Sequence, residues 1–443
     1  MFMDDHGLIR HPLAYARIQA GWTQPGLADR VRRAAERRGL HSGTRKQRIW
    51  AWETGRARPD ADSQSYLAEI FGVDPAVAAA TPWPDWLPGR EQPHPFTRHS
   101  TAPALREALR SSMDRRTFLA YSTAALTGLT HQWATTEPAA LTHSLDGGRL
   151  DPGLLDVLEE SGLRLAGMIT HQRQHTLAAL DGHLATVTDL IADATYTPDQ
   201  AVRLHTLGAR LAQTVGWTRF DAGQHAAAAR LWHGALHSAH AARDRDLGAG
   251  IISDLAYQAT WRHDPATAAT ILQHAVARTE HPTARALLHL RLARAQAALG
   301  NSTDCRTSLR AAEHNLDRTA PDPAPAWCAW FGPEDLQVDT GQALVDLGDT
   351  GEGDRLIDRG ISHLAPARAK TRAVFLSYRA ASLLAQGHAD EASTAATESL
   401  TLARTIGAPR CVTLIQRLRP RFEEYAQAPG VAELLHAAAA AGA

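Results

Sequence analysis

The apolar positions of this chain recur with the spacing of amphipathic helices, and almost no stretch alternates as a strand does. Four short helices are predicted near the start, over residues 12–20, 23–38, 44–53 and 62–71. Thr23 and Thr44 stand where a hydroxyl can cap the second and third of these helices. Gly39 and Gly72 follow the ends of the second and fourth, where glycine is favoured. These signals predict a small all-helical domain at the N-terminus.

The third predicted helix runs into the string IWAWETGRARPD, residues 49–60. Ile49 and Trp52 fall on one helical face, and Gly55 then allows the backbone to reverse. Ten Arg or Lys residues lie between positions 30 and 58, beside few acidic residues. A compact helical domain with this much positive charge is typical of modules that bind DNA.

Beyond about residue 150 the helical pattern repeats. Turn residues mark five copies, 37 to 48 positions apart, at Gly223, His263, Gly300, Gly348 and Gly387. The positions seven before, five after and twelve after each turn residue hold a small side chain in all five copies. Because helices approach closely where side chains are small, these columns predict helix-turn-helix repeats stacked into an α-solenoid. The predicted fold class is therefore all-α.

The predicted organisation has four parts. Residues 1–80 form the helix-turn-helix domain, and residues 81–112 form a Pro-rich linker. Bridging or leading helices occupy residues 113–197. About five repeats with a C-terminal cap occupy residues 198–443.

One segment between these parts has two interpretations. The string MDRRTFLAYSTAALTGLT, residues 113–130, places Arg115 and Arg116 before a short apolar run, as in a twin-arginine export signal. A bridging helix is favoured, because the segment follows a predicted domain and its apolar run is shorter than a membrane span. No membrane association is expected, and the expected location is the cytoplasm, at the nucleoid when DNA is bound.

Charge is distributed unevenly along the chain. Residues 1–58 contain 12 Arg or Lys and 5 Asp or Glu, a formal charge of +7, whereas the whole chain carries −1. The remainder therefore carries −8, so only the N-terminal domain is expected to meet a polyanion. The acidic segment 333–358 is interpreted as a solvated face, and the alternative is that it covers the basic N-terminal domain when no operator is bound.

Cysteine spacing and the absence of catalytic motifs argue against a zinc module and against an enzyme. Cys305, Cys328 and Cys411 are far apart and form no CxxC motif, which favours reduced cysteines over a disulfide framework or a zinc module. No P-loop, GxGxxG or GxSxG motif occurs, so no enzymatic activity and no cofactor are expected.

Histidines with metal-like spacing occur in two groups, His233, His237 and His240 in one and His171 and His175 in the other. Spacing alone permits zinc, but neither group has an HExxH arrangement or a nearby cysteine. They are interpreted as solvated faces that respond to pH.

The N-terminal domain resembles the Cro/repressor (XRE) helix-turn-helix family. The matching residues are Thr23, Gln24, Leu27, Ala28, Ile49, Trp52, Glu53, Gly55 and Pro59. The small columns resemble those of the tetratricopeptide repeat, and the string GWTRFDAGQHAAAARLWHGALHSA (216–239) is similar to the repeats of actinobacterial regulators. One departure is the insertion of about twelve residues, RRAAERRGLHSG (32–43), which a prolonged second helix would absorb.

The two resemblances together imply a transcriptional regulator. Its repeats would sense a ligand or partner and mediate oligomerisation, and its targets would control differentiation or secondary metabolism. The family's two-fold operators imply a double-stranded DNA partner and a homodimer. The alternative is a non-catalytic scaffold whose repeats bind a protein partner.

Carried over position by position, the resemblance implies a set of DNA-binding residues. They are Gln24, Thr44, Arg45, Lys46, Gln47, Arg48, Trp50, Ala51 and Arg56. Lys46 can donate to guanine and Gln47 can pair with adenine, whereas Gln24 at the start of its helix suits a phosphate. The alternative is a basic, solvated helix in a protein-binding module.

In tetratricopeptide arrays the first helix of each repeat lines a concave groove. This mapping gives the groove residues Arg210, Gln213, Trp217, Phe220, Ser253, Tyr257, Arg294 and Gln342. Aromatic rings beside Arg and Gln suit a small-molecule or peptide ligand with an apolar body and a polar or anionic end. Asparagine is scarce, which favours a small molecule or a protein partner over a peptide. The alternative is that the aromatics fill the core between repeats.

Overall fold

The computed structural model of the protein describes residues 12–19, 22–71, 83–84, 87, 94–97, 100–112, 123–137, 148–168, 173–318 and 322–441. Across these residues the fold is all-α, with helices packed in adjacent pairs and no strand, as the sequence predicts. One isolated bridge pairs Arg149 with Thr195. The chain divides into two compact units, Met1–Pro93 with Asp114–Gly128, and His94–Met113 with Leu129–Ala443.

The described N-terminal part of the first unit, residues 12–71, contains four short helices. They are α1 (Pro12–Gln19), α2 (Gln24–Arg37), α3 (Lys46–Glu53) and α4 (Ala61–Phe71). Its core is formed by side chains that the periodicity places inward, Leu13, Leu27, Val31, Ile49, Trp52 and Leu67, each at most 1% exposed. The four helices predicted for this part are confirmed.

Local signals account for both ends of α2. The hydroxyl of Thr23 accepts a hydrogen bond from the backbone N–H of Gly26, so it caps α2 as predicted. The prediction that Thr44 caps α3 is wrong, because the N-cap position is Arg45 and its side chain makes no capping bond. Much of the insertion lies in a prolonged α2, which ends at Arg37. Gly39 follows with a φ of 71°, a backbone region that favours glycine.

Four further helices are described between the N-terminal helices and the repeats. They are α5 (Thr101–Ser112), α6 (Thr123–Thr135), α7 (Pro152–Met168) and α8 (Arg173–Asp193). Arg115 and Arg116, which suggested an export signal, lie outside the described residues. Within the described part of the chain, none of the helices combines the length and apolar character that crossing a bilayer requires.

Six helix pairs follow, the sixth being the C-terminal pair. They are α9 (Pro198–Asp221) with α10 (His225–Ala241), α11 (Arg245–Trp261) with α12 (Pro265–Val276), α13 (Pro282–Ala298) with α14 (Ser302–Leu316), α15 (Pro333–Asp346) with α16 (Thr350–His363), α17 (Ala369–Ala385) with α18 (Ala389–Thr405), and α19 (Pro409–Glu423) with α20 (Val431–Ala441). The α-solenoid predicted from the repeats is confirmed.

The turn residues and the small columns have the roles that the sequence predicts. All five turn residues have positive φ angles, 76° at Gly223, 62° at His263, 74° at Gly300, 92° at Gly348 and 81° at Gly387. The small positions are buried at the contact between the two helices of each pair. At Gly341 a Cβ atom would lie 2.5 Å from the carbonyl oxygen of Gly353, so no side chain fits.

Candidate functional site

The short helix α3 presents two different faces. Ile49 and Trp52 are buried in the core of the first unit. The solvent-exposed residues are the N-cap, Arg45, and the first three residues of the helix, Lys46, Gln47 and Arg48. Trp50 and Ala51 are half-buried beside them. The helix therefore exposes a polar, basic surface, while its opposite face packs in the core.

Two of the predicted DNA-binding residues are placed differently from the rest. Thr44 is fully buried, and its hydroxyl lies 2.9 Å from the Ser42 hydroxyl, so it supports the loop before α3 and does not face solvent. Gln24 donates its side-chain amide to a carboxylate oxygen of Glu53 at 2.6 Å. That amide is therefore engaged within the protein.

Glu53 holds the ends of three helices together. Its carboxylate accepts the hydrogen bond from Gln24 and two from the Arg17 guanidinium, at 2.5 and 3.2 Å, while only 9% of Glu53 is exposed. In the sequence, Glu53 is predicted only as the last residue of the third helix and as one of the residues that match the helix-turn-helix family. Its partners are 29 and 36 positions away, so no local pattern could reveal the network.

Basic side chains of the first unit differ in how far they are neutralised. Arg32 pairs with Asp29, Arg37 and Arg38 pair with Glu69, and Arg48 lies 3.6 Å from Asp60. Within the described residues, ion pairs are lacking for Arg30, Arg33, Arg45, Lys46, Arg56 and Arg58. The Arg56 guanidinium lies 4.6 Å from the centre of the Trp50 ring, which fixes this cation beside α3.

The second unit contains a cavity of about 410 Å³. It is lined mainly by the first helix of successive pairs, through Gln213, Thr214 and Trp217 of α9, Asp254 and Tyr257 of α11, Arg291 of α13, Asp335 and Asp339 of α15, Lys370, Thr371, Val374, Phe375 and Tyr378 of α17, and Arg410 of α19. Trp327 and Trp330 come from the connection between α14 and α15. A cavity of this size and mixed lining suits a small molecule.

Arginine side chains and aromatic rings alternate around this cavity. The centres of the Trp217 and Tyr257 rings are 5.5 Å apart. The guanidinium of Arg291 lies 5.4 Å from the Tyr257 ring centre, and that of Arg410 lies 5.7 Å from it. Such contacts hold the cations in place while their hydrogen-bonding edges stay available.

Ion pairs neutralise the charges in the cavity wall. Arg291 lies 3.0 Å from Asp254, which is only 3% exposed and also accepts a hydrogen bond from Gln213 at 2.7 Å. Burial raises the pKa of the Asp254 carboxyl, and it also raises the pKa of the Tyr378 hydroxyl well above its usual range. The wall is therefore a low-dielectric environment in which a bound charge interacts strongly.

Only some of the predicted groove residues lie together in the cavity wall. Gln213, Trp217 and Tyr257 line the cavity. Behind the wall, Phe220 is 1% exposed and belongs to the core, and the buried Ser253 hydroxyl accepts a hydrogen bond from Arg291. Outside the lining, Arg294 pairs with Asp339, Gln342 donates to Asp346, and Arg210 is exposed to solvent.

Several cavity residues do not appear among the predicted ones. The predicted groove residues belong only to the first four pairs, so they include neither Arg410 nor the lining residues of α17. Arg291 lies one helical turn before Arg294, the residue predicted in α13. The acidic segment 333–358 was interpreted as a solvated face, which is wrong for Asp335, because this residue is 2% exposed and paired with Arg368.

The histidines of α10 are also placed differently from the prediction. His233 and His237 are each 2% exposed, so the interpretation as a solvated face is wrong. They pack against the segment His94–Thr97, whose Phe96 ring stacks 4.4 Å from the His237 ring. His171, from the other histidine group, lies outside the described residues.

Comparisons with known proteins give limited information. A family model described as the SP15 N-terminal domain matches residues 13–74, a minor part of the chain. A search of curated proteins finds no match. Among solved structures, one titled "Crystal structure of BtubC (BKLC) from P. vanneervenii" is 16% identical, covers 57% of this chain and 92% of its own, and has a TM-score of 0.34. A likeness at this level says nothing about function.

Proposed function

We propose that the protein is a DNA-binding transcriptional regulator whose repeats sense a small molecule. The observation that carries the proposal is the exposed face of α3, where Lys46 and Gln47 stand beside Arg45 and Arg48 on a helix backed by the core. The proposed family is the Cro/repressor-type regulators with tetratricopeptide repeats, and the proposed location is the cytoplasm. As in that family, we propose that the protein acts as a homodimer.

The side chains of this face match the chemistry of a DNA major groove. Lys46 can donate to the O6 and N7 atoms of guanine, and the Gln47 amide can pair in a bidentate manner with adenine. Arg45, Arg48 and Arg56 suit phosphates, which set the orientation of the protein and add affinity that falls with salt. Because Thr44 and the amide of Gln24 are engaged within the protein, they are left out of the proposed contact set.

Replacing both Lys46 and Gln47 with alanine tests the proposal. We expect the variant to lose its preference for the operator over random DNA by about tenfold or more, since each good base contact discriminates by roughly 1–3 kcal/mol. Arg37→Ala is the control, because it also removes one positive charge from this unit but its guanidinium pairs with Glu69. Gel shifts at two salt concentrations against genomic fragments measure both effects.

Two outcomes would contradict the proposal. If the double variant binds an operator as selectively as the parent, α3 is not the reading helix. If no genomic fragment is bound selectively at either salt concentration, the chain is better explained as a scaffold whose repeats hold a protein partner.

A further inference from the structure

The first and last helix pairs of the repeats meet at one carboxylate. Asp221 ends α9, and it pairs with Lys370 of α17 and with Arg410 of α19, whose Nε atom lies 2.9 Å away. Asp221 and Lys370 are 149 positions apart in the chain. Because Trp217 of α9 and Arg410 both line the cavity, a molecule bound there would contact both ends of the repeat array.

Two guanidinium groups converge on the same pair of rings. Arg291 lies 6.0 Å from the Trp217 ring centre and 5.4 Å from that of Tyr257, and Arg410 lies 5.9 and 5.7 Å from the same two centres. Each guanidinium is paired with one carboxylate, Arg291 with Asp254 and Arg410 with Asp221. An anion bound near both guanidinium groups would be attracted by each of them.

The three acidic residues of the wall already have basic partners in the protein, and Asp339 pairs with Arg294. Asp254 accepts one hydrogen bond on each oxygen, from Arg291 and from Gln213. Asp335 accepts from Arg368 on both oxygens, at 2.9 and 2.7 Å. Each of these carboxylates is already neutralised by an arginine, so a cationic ligand would have to compete with that arginine.

The arginines, by contrast, keep donors for a ligand. Arg291 donates through Nη1 to Ser253 and Asp254, and Arg410 donates through Nη1 to the Tyr257 hydroxyl. The Nε atom of Arg410 lies 2.9 Å from Asp221 in an ion pair without hydrogen-bond geometry. Among the described residues, neither Nη2 group donates a hydrogen bond to protein. A guanidinium edge of this kind is suited to the oxygens of a carboxylate, sulfonate or phosphate.

We propose that this cavity binds a planar aromatic organic anion, with its acidic group held by Arg291 and Arg410 and its ring lying against Trp217 and Tyr257. The remaining aromatic lining, which includes Phe375 and Trp327, contacts the rest of the ring. This site names the ligand class that the repeats sense, and it rests on the proposed function for its regulatory meaning. A simple inorganic anion would leave the aromatic walls unfilled and would bind weakly.

Isothermal titration calorimetry on the full, DNA-free chain tests the proposal with four probes. They are 2-naphthalenesulfonate, the neutral 2-naphthalenemethanol, the cationic (2-naphthylmethyl)trimethylammonium, and inorganic sulfate. We expect the sulfonate to bind at least about tenfold more tightly than each of the others, because only it offers both a flat ring and charged acceptors. Equal affinities for the anionic and neutral naphthalenes, or no binding of the sulfonate, would overturn the proposal.

Substitutions locate the site. Arg291→Lys and Arg410→Lys keep the positive charges that pair with Asp254 and Asp221, so the variants are expected to fold, but each loses the forked donor. Each should reduce sulfonate affinity about fivefold or more while leaving the affinity for the neutral probe unchanged. Arg404→Gln is the control, because this residue is exposed on α18 and does not line the cavity. Unchanged sulfonate affinity in both lysine variants would contradict the assignment.

DNA binding is tested separately, so the two proposals can fail independently. The variant with alanine at positions 46 and 47 should bind the sulfonate as the parent does. Probe binding without operator binding would leave the cavity assigned and remove the regulator proposal. Operator binding without probe binding would support the regulator proposal and contradict the assignment of the cavity.

Discussion

Neutral histidines pack in the interior of the second unit. The Nε2 atoms of His233 and His237 are 3.0 Å apart, and His237 Nε2 is 2.9 Å from the carbonyl oxygen of His94. The opposite ring nitrogen of His237 lies 3.2 Å from the Ser100 hydroxyl. Burial lowers the pKa of His237 to about 3, and burial lowers that of His233 well below its usual value. Both rings are therefore neutral in the folded protein at neutral pH.

Mild acid should destabilise this arrangement. A histidine whose pKa is lowered on folding takes up its proton only in the unfolded state as the pH falls below about 6.5. Its stabilising contribution is thus complete above that pH and is lost progressively toward the folded-state value of about 3 for His237. Between pH 6.5 and pH 5 the loss is roughly 1.6 kcal/mol for His237. Urea unfolding followed by circular dichroism at the two pH values measures it.

A substitution separates these histidines from the other groups that titrate in acid. His233→Gln cannot take up a proton, so its free energy of unfolding should fall less between the two pH values than that of the parent. His388→Gln is the control, because the side chain of His388 is 54% exposed. An equal pH dependence in the parent and in His233→Gln would show that His233 is not held neutral by the fold.

At the scale of helices, the sequence is most informative about contacts that are close in the chain. The turn at Gly348 and the small residues Gly341 and Gly353 belong to one helix pair, within 13 positions. Helical periodicity, turn conformation and close packing all act over that range, so each leaves a recognisable residue type. The five-fold repetition of the columns then makes the fold predictable.

Adding one methyl group at such a contact should have a large effect. In Gly341→Ala the new Cβ would lie 2.5 Å from the Gly353 carbonyl oxygen and 2.8 Å from Ile357, so α15 and α16 must separate. We expect the variant to lose about 1–3 kcal/mol of stability. Gly351→Ala is the matched control within α16, since its Cβ would meet nothing within 4 Å. Thermal unfolding of the two variants should show a clear loss only for Gly341→Ala.

The candidate sites are built from contacts between residues that are far apart in the chain, and such contacts leave fewer signals in the sequence. Glu53 joins residues of three helices, and Arg410 reaches Tyr257 over 153 positions. Such pairs depend on how the helices are stacked, which periodicity within one helix does not determine. The sequence therefore predicts Gln213, Trp217 and Tyr257 of the cavity wall, but not the arginines that complete this wall.

For the repeats as a whole, the contact at Asp221 adds an interaction that a simple solenoid lacks. Each repeat of a solenoid normally contacts only its neighbours, so its terminal repeats unfold most easily. Here Asp221 of the first pair is 3% exposed and joins Lys370 of the fifth pair and Arg410 of the sixth. This carboxylate should make the unfolding of the two ends cooperative.

Replacing Asp221 with asparagine tests that role and connects it to the cavity. The neutral amide removes one buried negative charge that pairs with Lys370 and Arg410, which should cost about 3–5 kcal/mol and increase amide hydrogen exchange in α19. The same two cations would then be more available to an anion, so affinity for 2-naphthalenesulfonate should rise. Asp358→Asn is the control, because its pair with Arg379 is on the surface, with 53% of the Asp358 side chain exposed, and is worth about 1 kcal/mol or less. If Asp221→Asn instead weakened binding of the sulfonate while the protein stayed folded, Asp221 would position Arg410 for the ligand rather than compete with it.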